Sequence, residues 1–277
     1  MDLKVEKNGN ATLLSEMGLV VMNIDDSSPS YVAERRVVPG RSGVVNANGR
    51  YAEKTISVSG RFTVPTLKDF MYKKDELYGL LLDSEPFYIT KMYPESDDVY
   101  QFELPGNQTG DIDLLSIPHI EWHYRWKVLN EQDINIVFIG KSAQGLKYDF
   151  KVEFVTAELP FGETIPKNMS VSNAGIDYKG TANLNQLEWP YLIELTTTGS
   201  QSNFYFEIND RRFTYQHSAP LEFGAKLTIG GAETKLGLVN VNNRTNYEHF
   251  ILKPGMNRIK TNFVGTIKLL NYVELYK

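Results

Sequence analysis

The residues best suited to chemistry in this sequence are His119-Ile120-Glu121-Trp122-His123. On a helix the two imidazoles would stand four residues apart on one face, a spacing that holds zinc with the glutamate as base. The neighbours decide against a helix. Ile120, Trp122, Tyr124, Trp126 and Val128 alternate strictly with His119, Glu121, His123, Arg125 and Lys127, which is the period of a strand. The histidines and Glu121 then share one strand face, with neighbours about 6.8 Å apart. Two such neighbours can chelate a metal, but Arg125 and Lys127 on that face repel a cation and compete for Glu121. The reading is a polar strand face over a core built on Trp122 and Trp126, with no metal site.

Other motifs are weaker. Gly140-Lys141-Ser142 has the end of a phosphate-binding loop, but the glycine required five residues earlier is Asn135, and no clear helix follows. No Gly-x-Ser-x-Gly nucleophile elbow and no dinucleotide fingerprint occur. Asp97-Asp98 and Asp111-Ile112-Asp113 offer too few oxygens for a calcium loop. There is no cysteine, so disulfides and thiol catalysis are excluded. No catalytic residue, metal site or cofactor is expected, and the chain reads as a non-enzyme.

The elements that would position these residues are mostly strands. Alternation and turn chemistry mark strands at 32–38, 55–64, 87–93, 99–104, 120–129, 134–139 and 148–155, with turns at Pro39-Gly40, Asn48-Gly49 and Pro105-Gly106-Asn107. Along 55–64, Ile56, Val58, Phe62 and Val64 point one way and Thr55, Ser57, Ser59 and Arg61 the other. One helix interrupts. Thr66 is its N-cap with Asp69 three residues on, and Leu67, Phe70, Met71, Leu77, Tyr78 and Leu81 form its apolar stripe. Pro86 marks the latest point of its end. Residues 159–175, rich in proline and glycine and without periodicity, read as a linker. Beyond it, short strands at 191–197, 204–208, 212–216, 227–229, 235–239 and 265–276 have sandwich spacing. The expected fold class is mainly β: an α+β domain over residues 1–165, with one helix on an antiparallel sheet, and a β-sandwich over 166–277.

Residues 31–64 are the most distinctive stretch. A basic strand ends at Val38-Pro39-Gly40, and a glycine-rich segment follows with Arg41 and Arg50. Such an arm, cationic and poor in apolar area, has no obvious place in its own core and suits a neighbour. The order of features (Ser28-Pro29, Val38-Pro39-Gly40-Arg41-Ser42-Gly43, the strand 55–64, the helix with its exit strand, the pair closing with Ala157-Glu158-Leu159-Pro160-Phe161-Gly162, and Lys253-Pro254-Gly255-Met256-Asn257 near the end) resembles the distal tail protein of siphophages infecting Gram-positive bacteria, or its equivalent in phage-tail-like bacteriocins. The resemblance is strong over residues 17–165.

That resemblance implies a structural virion protein at the tail tip, assembled in the host cytoplasm. It implies a homo-oligomeric ring of six copies made by the first domain, with a channel for DNA. Partners would be the tail-tube protein, the tail-associated hub protein, and receptor-binding or baseplate proteins. The interface candidates are Arg35, Arg36, Val38, Pro39, Gly40, Arg41 and Arg50. It also implies a galectin-like second domain, and so an alternative: a carbohydrate-binding module protein attaching to cell-wall glycans. The galectin His-x-Asn-x-Arg strand finds only an echo in Asn240-Val241-Asn242-Asn243-Arg244, with Trp189 the one tryptophan of that half.

Charge is unevenly split. Residues 1–165 carry 17 Lys+Arg against 25 Asp+Glu, and residues 166–277 carry 12 against 9. An acidic first half disfavours sequence-specific nucleic-acid binding and suits a conduit that DNA passes without sticking. The first residues, MDLKVEKNGNATLL, lack the apolar core of a signal peptide. No run approaches the ~20 apolar residues of a membrane helix, so no membrane insertion is expected.

Overall fold

The computed structural model describes residues 1–96, 114–172 and 175–277. The expected strand at 99–104, the Pro105-Gly106-Asn107 turn and the acidic pairs Asp97-Asp98 and Asp111/Asp113 lie outside these. The chain divides into two compact units, Met1–Gly162 and Glu163–Lys277.

The first unit is an antiparallel sheet carrying one helix. Its strands are β1 (Asp2–Lys7), β2 (Asn10–Leu13), β3 (Leu19–Asp26), β4 (Tyr31–Arg36), β5 (Val45–Tyr51), β6 (Thr55–Val64), β7 (Phe87–Pro94), β8 (His119–Glu121), β9 (Trp126–Asn130), β10 (Asn135–Ser142) and β11 (Gly145–Thr156); helix α1 is Leu67–Leu81. The sheet runs β2-β1-β7-β9-β11-β6-β3, with β8 on β7 and β10 on β11. The ladder of β11 on β6 holds it together, pairing Leu146 with Val64 through to Val155 with Thr55. Along β6 every second residue is buried, as its alternation requires. Gly60 takes one of those buried places because a Cβ there would strike the Val20 carbonyl and the Phe150 ring.

Helix α1 starts as its sequence dictates. Thr66 Oγ1 accepts from the Asp69 amide at 3.2 Å, and an Asp69 carboxylate oxygen accepts from the Thr66 amide at 3.1 Å. Leu77 and Leu81 are fully buried, worth about 1.5–3 kcal/mol each relative to exposure. Phe70 stacks on Tyr148 with centroids 4.1 Å apart. The apolar stripe is only half used, however: Leu67 and Met71 stay exposed.

The strand expected at 120–129 is broken. β8 and β9 pair along the same edge of β7, with Tyr93 opposite Ile120 and Ile89 opposite Trp126. Between them residues 122–125 face only Thr90 and Lys91, so two residues are extra and the segment buckles outward. The alternation of side chains is lost there. Trp126 reaches the core, whereas Trp122 remains 40% exposed. The expected core on both tryptophans is therefore corrected to one.

In the second unit, one antiparallel sheet orders Lys167–Val171, Gly265–Tyr272, Leu192–Thr197, Lys226–Ile229, Thr234–Leu236 and Val239–Asn240, and another orders Arg211–Leu221, Gln201–Ile208 and Ile259–Thr261. Ile193, Leu195, Ile267 and Leu269 of the first and Phe204, Phe206, Phe213 and Tyr215 of the second are buried. The molecule is mainly β, as expected. The described part of the expected linker, residues 159–172, is not open as its composition suggests. Phe161, Gly162 and Glu163 are buried, and Lys167–Val171 is an edge strand of the larger sheet.

Candidate assembly site

The cationic arm is a hairpin of its own. Among the described residues β4 pairs only with β5, with Tyr31 opposite Tyr51 and Arg36 opposite Val45. β5 was expected as a turn around Asn48-Gly49. Gly49 lies instead inside the strand, opposite Ala33, because the Tyr31 ring crosses over it and leaves no room for a Cβ. The Pro39-Gly40 turn forms as expected. The Arg41 amide donates to the Val38 carbonyl at 3.2 Å, and Gly40 adopts φ +79°, which a turn of this type demands at its third position. At the base, Tyr31 meets Tyr51 edge-on at 5.2 Å and Tyr51 meets Phe161 at 5.6 Å. These rings anchor the hairpin, and sequence reasoning missed them.

Beyond that anchor nothing in residues 30–53 is buried. Val32, Val37, Val38 and Val44 are all exposed, Val37 by 77%. Arg36 pairs with Glu34 of its own arm at 3.0 Å. Arg35, Arg41 and Arg50 have no ion-pair partner among the described residues. The structure thus brings the expected residues Arg35, Arg36, Val38, Pro39, Gly40, Arg41 and Arg50 together on one hairpin, with three positive charges and an apolar surface uncompensated among the described residues.

The histidine strand is built differently from a metal site. Glu121 accepts from Lys4 Nζ at 2.8 Å, while Arg125 pairs with Glu6 at 2.8 Å and Lys127 with Glu158. The expected pairing of Glu121 with Arg125 or Lys127 does not form, because each cation has its own acid and Lys4 takes Glu121. Burial pushes the Glu6 carboxyl upward, and hydrogen bonds from Lys4 and Arg125 more than reverse this, leaving it below the ordinary carboxylate range. Arg125 also lies over the Tyr88 ring at 3.7 Å. His123 sits in the buckle, against Trp122 and Tyr124. Among the described residues no three His, Asp or Glu side chains gather around a common point.

The sugar-site echo in the second unit is spent on the fold. Trp189 Nε1 donates to the Asn271 carbonyl at 2.9 Å, Asn242 ties the Thr234 and Ala232 backbone, and Arg244 reaches the Tyr215 hydroxyl. Phe204 and Phe206 are core residues, and Tyr205 lies under the Arg212 guanidinium at 4.5 Å.

The model of the phage tail protein RIFT-related domain family matches residues 18–162, more than half of the chain. The chain belongs to this family. The match covers the sheet from β3 onward, α1 and the arm, but not β1 and β2, so the hairpin lies within the matched phage tail domain. No curated protein matches the chain. Among solved structures it is similar to the Dit protein of phage SPP1, presented as a paradigm of the hub adsorption apparatus in phages infecting Gram-positive bacteria. That likeness has a TM-score of 0.64 at 12% identity over 99% of both chains, and it is a likeness of fold. The baseplate of phage P2 in its activated conformation with calcium follows at a TM-score of 0.41, 7% identity and 97% of both chains, too distant to carry an argument. The resemblance carried by the order of sequence features thus holds as membership of a phage tail protein family and as a fold like that of the SPP1 Dit protein.

Proposed function

We propose that this tail protein is the distal adaptor of a non-contractile tail. It forms a ring through its first unit, joins the tail tube to the tail-tip hub and receptor-binding apparatus, and leaves a channel for DNA. The role is rigid assembly and involves no covalent chemistry. The observation that carries it is the hairpin β4–β5: three arginines without an ion-pair partner among the described residues and four exposed valines, on an element with no buried residue. In a closed ring each copy offers the same two surfaces to its neighbours, so one arm per copy suffices to clasp the whole assembly. The surplus of acids in the rest of residues 1–165 supplies the opposite charge, and acidic residues left facing a channel repel DNA phosphates. Native mass spectrometry of the purified chain tests this. A discrete closed oligomer, expected at six copies, supports it. A monomer at high protein concentration and low salt contradicts it.

A further inference from the structure

Besides the arm, β10 is a strand of the first unit that the described residues cover poorly. Val137, Phe138 and Ile139 are 49%, 54% and 42% exposed. Successive side chains of a strand point to opposite faces, so three exposed in a row mean that both faces are open. Among the described residues β10 pairs only with β11, which leaves its outer edge free. A bulge between Phe138 and Gly140 turns Ile139 outward and interrupts the ladder there. An apolar edge of this kind is an association site unless something covers it. Just before it stand Glu131 and Asp133, both exposed and neither ion-paired among the described residues. Phe138 also rests on Tyr148, centroids 5.3 Å apart, so this edge is fixed to the aromatic stack under α1 and is presented rigidly.

We infer that β10 with Glu131 and Asp133 is the receiving surface for the β4–β5 arm of a neighbouring copy. The inference rests on the ring reading above and names its partner surface. The two surfaces are complementary in the same two respects. The arm has exposed valines and arginines without partners; the β10 edge has exposed Val137, Phe138 and Ile139 and carboxylates without partners. Other unpaired acids of the unit, such as Asp25 and Asp75, do not stand beside an uncovered apolar strand. The bulge makes side-chain packing, with charge pairs at one end, the mode of contact, rather than a long added ladder.

A charge swap tests this. Three variants are compared with the wild type by light scattering at one concentration and low salt. In the first, Arg35, Arg41 and Arg50 become Glu; in the second, Glu131 and Asp133 become Arg; the third combines both sets. The first two should lose the ring and run as smaller species, and the third should recover it. Circular dichroism matching the wild type guards against unfolding. If the second variant unfolds, a short bismaleimide linking Val45→Cys of one chain to Phe138→Cys of another replaces it; the chain has no other cysteine. A ring that survives reversal of Glu131 and Asp133, or a combined variant that stays dissociated, overturns the inference while the ring reading stands. Absence of a wild-type ring removes both.

Discussion

Reversing Arg35, Arg41 and Arg50 to Glu changes the arm from three unpartnered positive charges to three negative ones. Exposed ion pairs are each worth about 0.2–1 kcal/mol. With two receiving carboxylates, two lost pairs remove about 0.4–2 kcal/mol per interface, and repulsion of similar size brings the total to about 1–4 kcal/mol. At about 1.4 kcal/mol per factor of ten, each interface should weaken by roughly five-fold to several-hundred-fold. A closed ring repeats that loss at every interface. Because residues 30–53 contain no buried side chain, the fold of each copy should be untouched. Multi-angle light scattering across a dilution series reads the assembly, and urea unfolding reads the fold. The wild-type ring should also loosen with added salt, since salt screens solvent-exposed ion pairs. A variant ring as stable as wild type, or a wild-type ring indifferent to salt, would refute the electrostatic clasp. Loss of fold in the variant would refute the claim that the arm stands apart from the core.

Three further outcomes are expected. Lys54 is only 2% exposed and pairs with Asp26 at 3.2 Å; Lys54→Met should cost about 1–3 kcal/mol in urea unfolding, since Lys91 still faces Asp26 at 3.5 Å. The depressed carboxyl of Glu6 contributes stability that is present above the ordinary carboxylate range near 4.5 and is lost as pH falls through the lower folded value; Glu6→Gln should flatten that part of the acid stability curve, and an unchanged curve contradicts the Lys4–Glu6–Arg125 cluster. Trypsin should cut first after Arg41 in the dissociated chain and much more slowly in the assembled one, because the arm tip is exposed in one and covered in the other; equal rates argue against a covered arm.

Much of the first unit was legible because local and tertiary demands agree. β6 follows its alternation residue for residue, and α1 begins at the capping box that Thr66 and Asp69 spell out. The β1–β2 hairpin was missed, although the Asn8-Gly9 turn, with positive φ at both residues, is a local signal for it. Other parts were hidden for physical reasons. The buckle at residues 122–125 depends on where β7 places its partners, which no local pattern records. Gly49 sits in a strand because of a tyrosine 18 positions away, so a glycine that reads as a turn is a packing device. Lys167–Val171 is an edge strand with no buried residue, and without burial there is no alternation to read. At the site, the cationic character of the arm was visible in Arg35, Arg36, Arg41 and Arg50, but the pairing of Arg36 with Glu34 and the ring anchor at Tyr31 and Tyr51 needed the fold.

The most direct test of the central claim is an image of the purified chain by negative-stain electron microscopy. Closed rings of six subunits with a central opening are expected, lost when the arm arginines are reversed. Single compact particles without an opening, at concentrations where association should be complete, would contradict it.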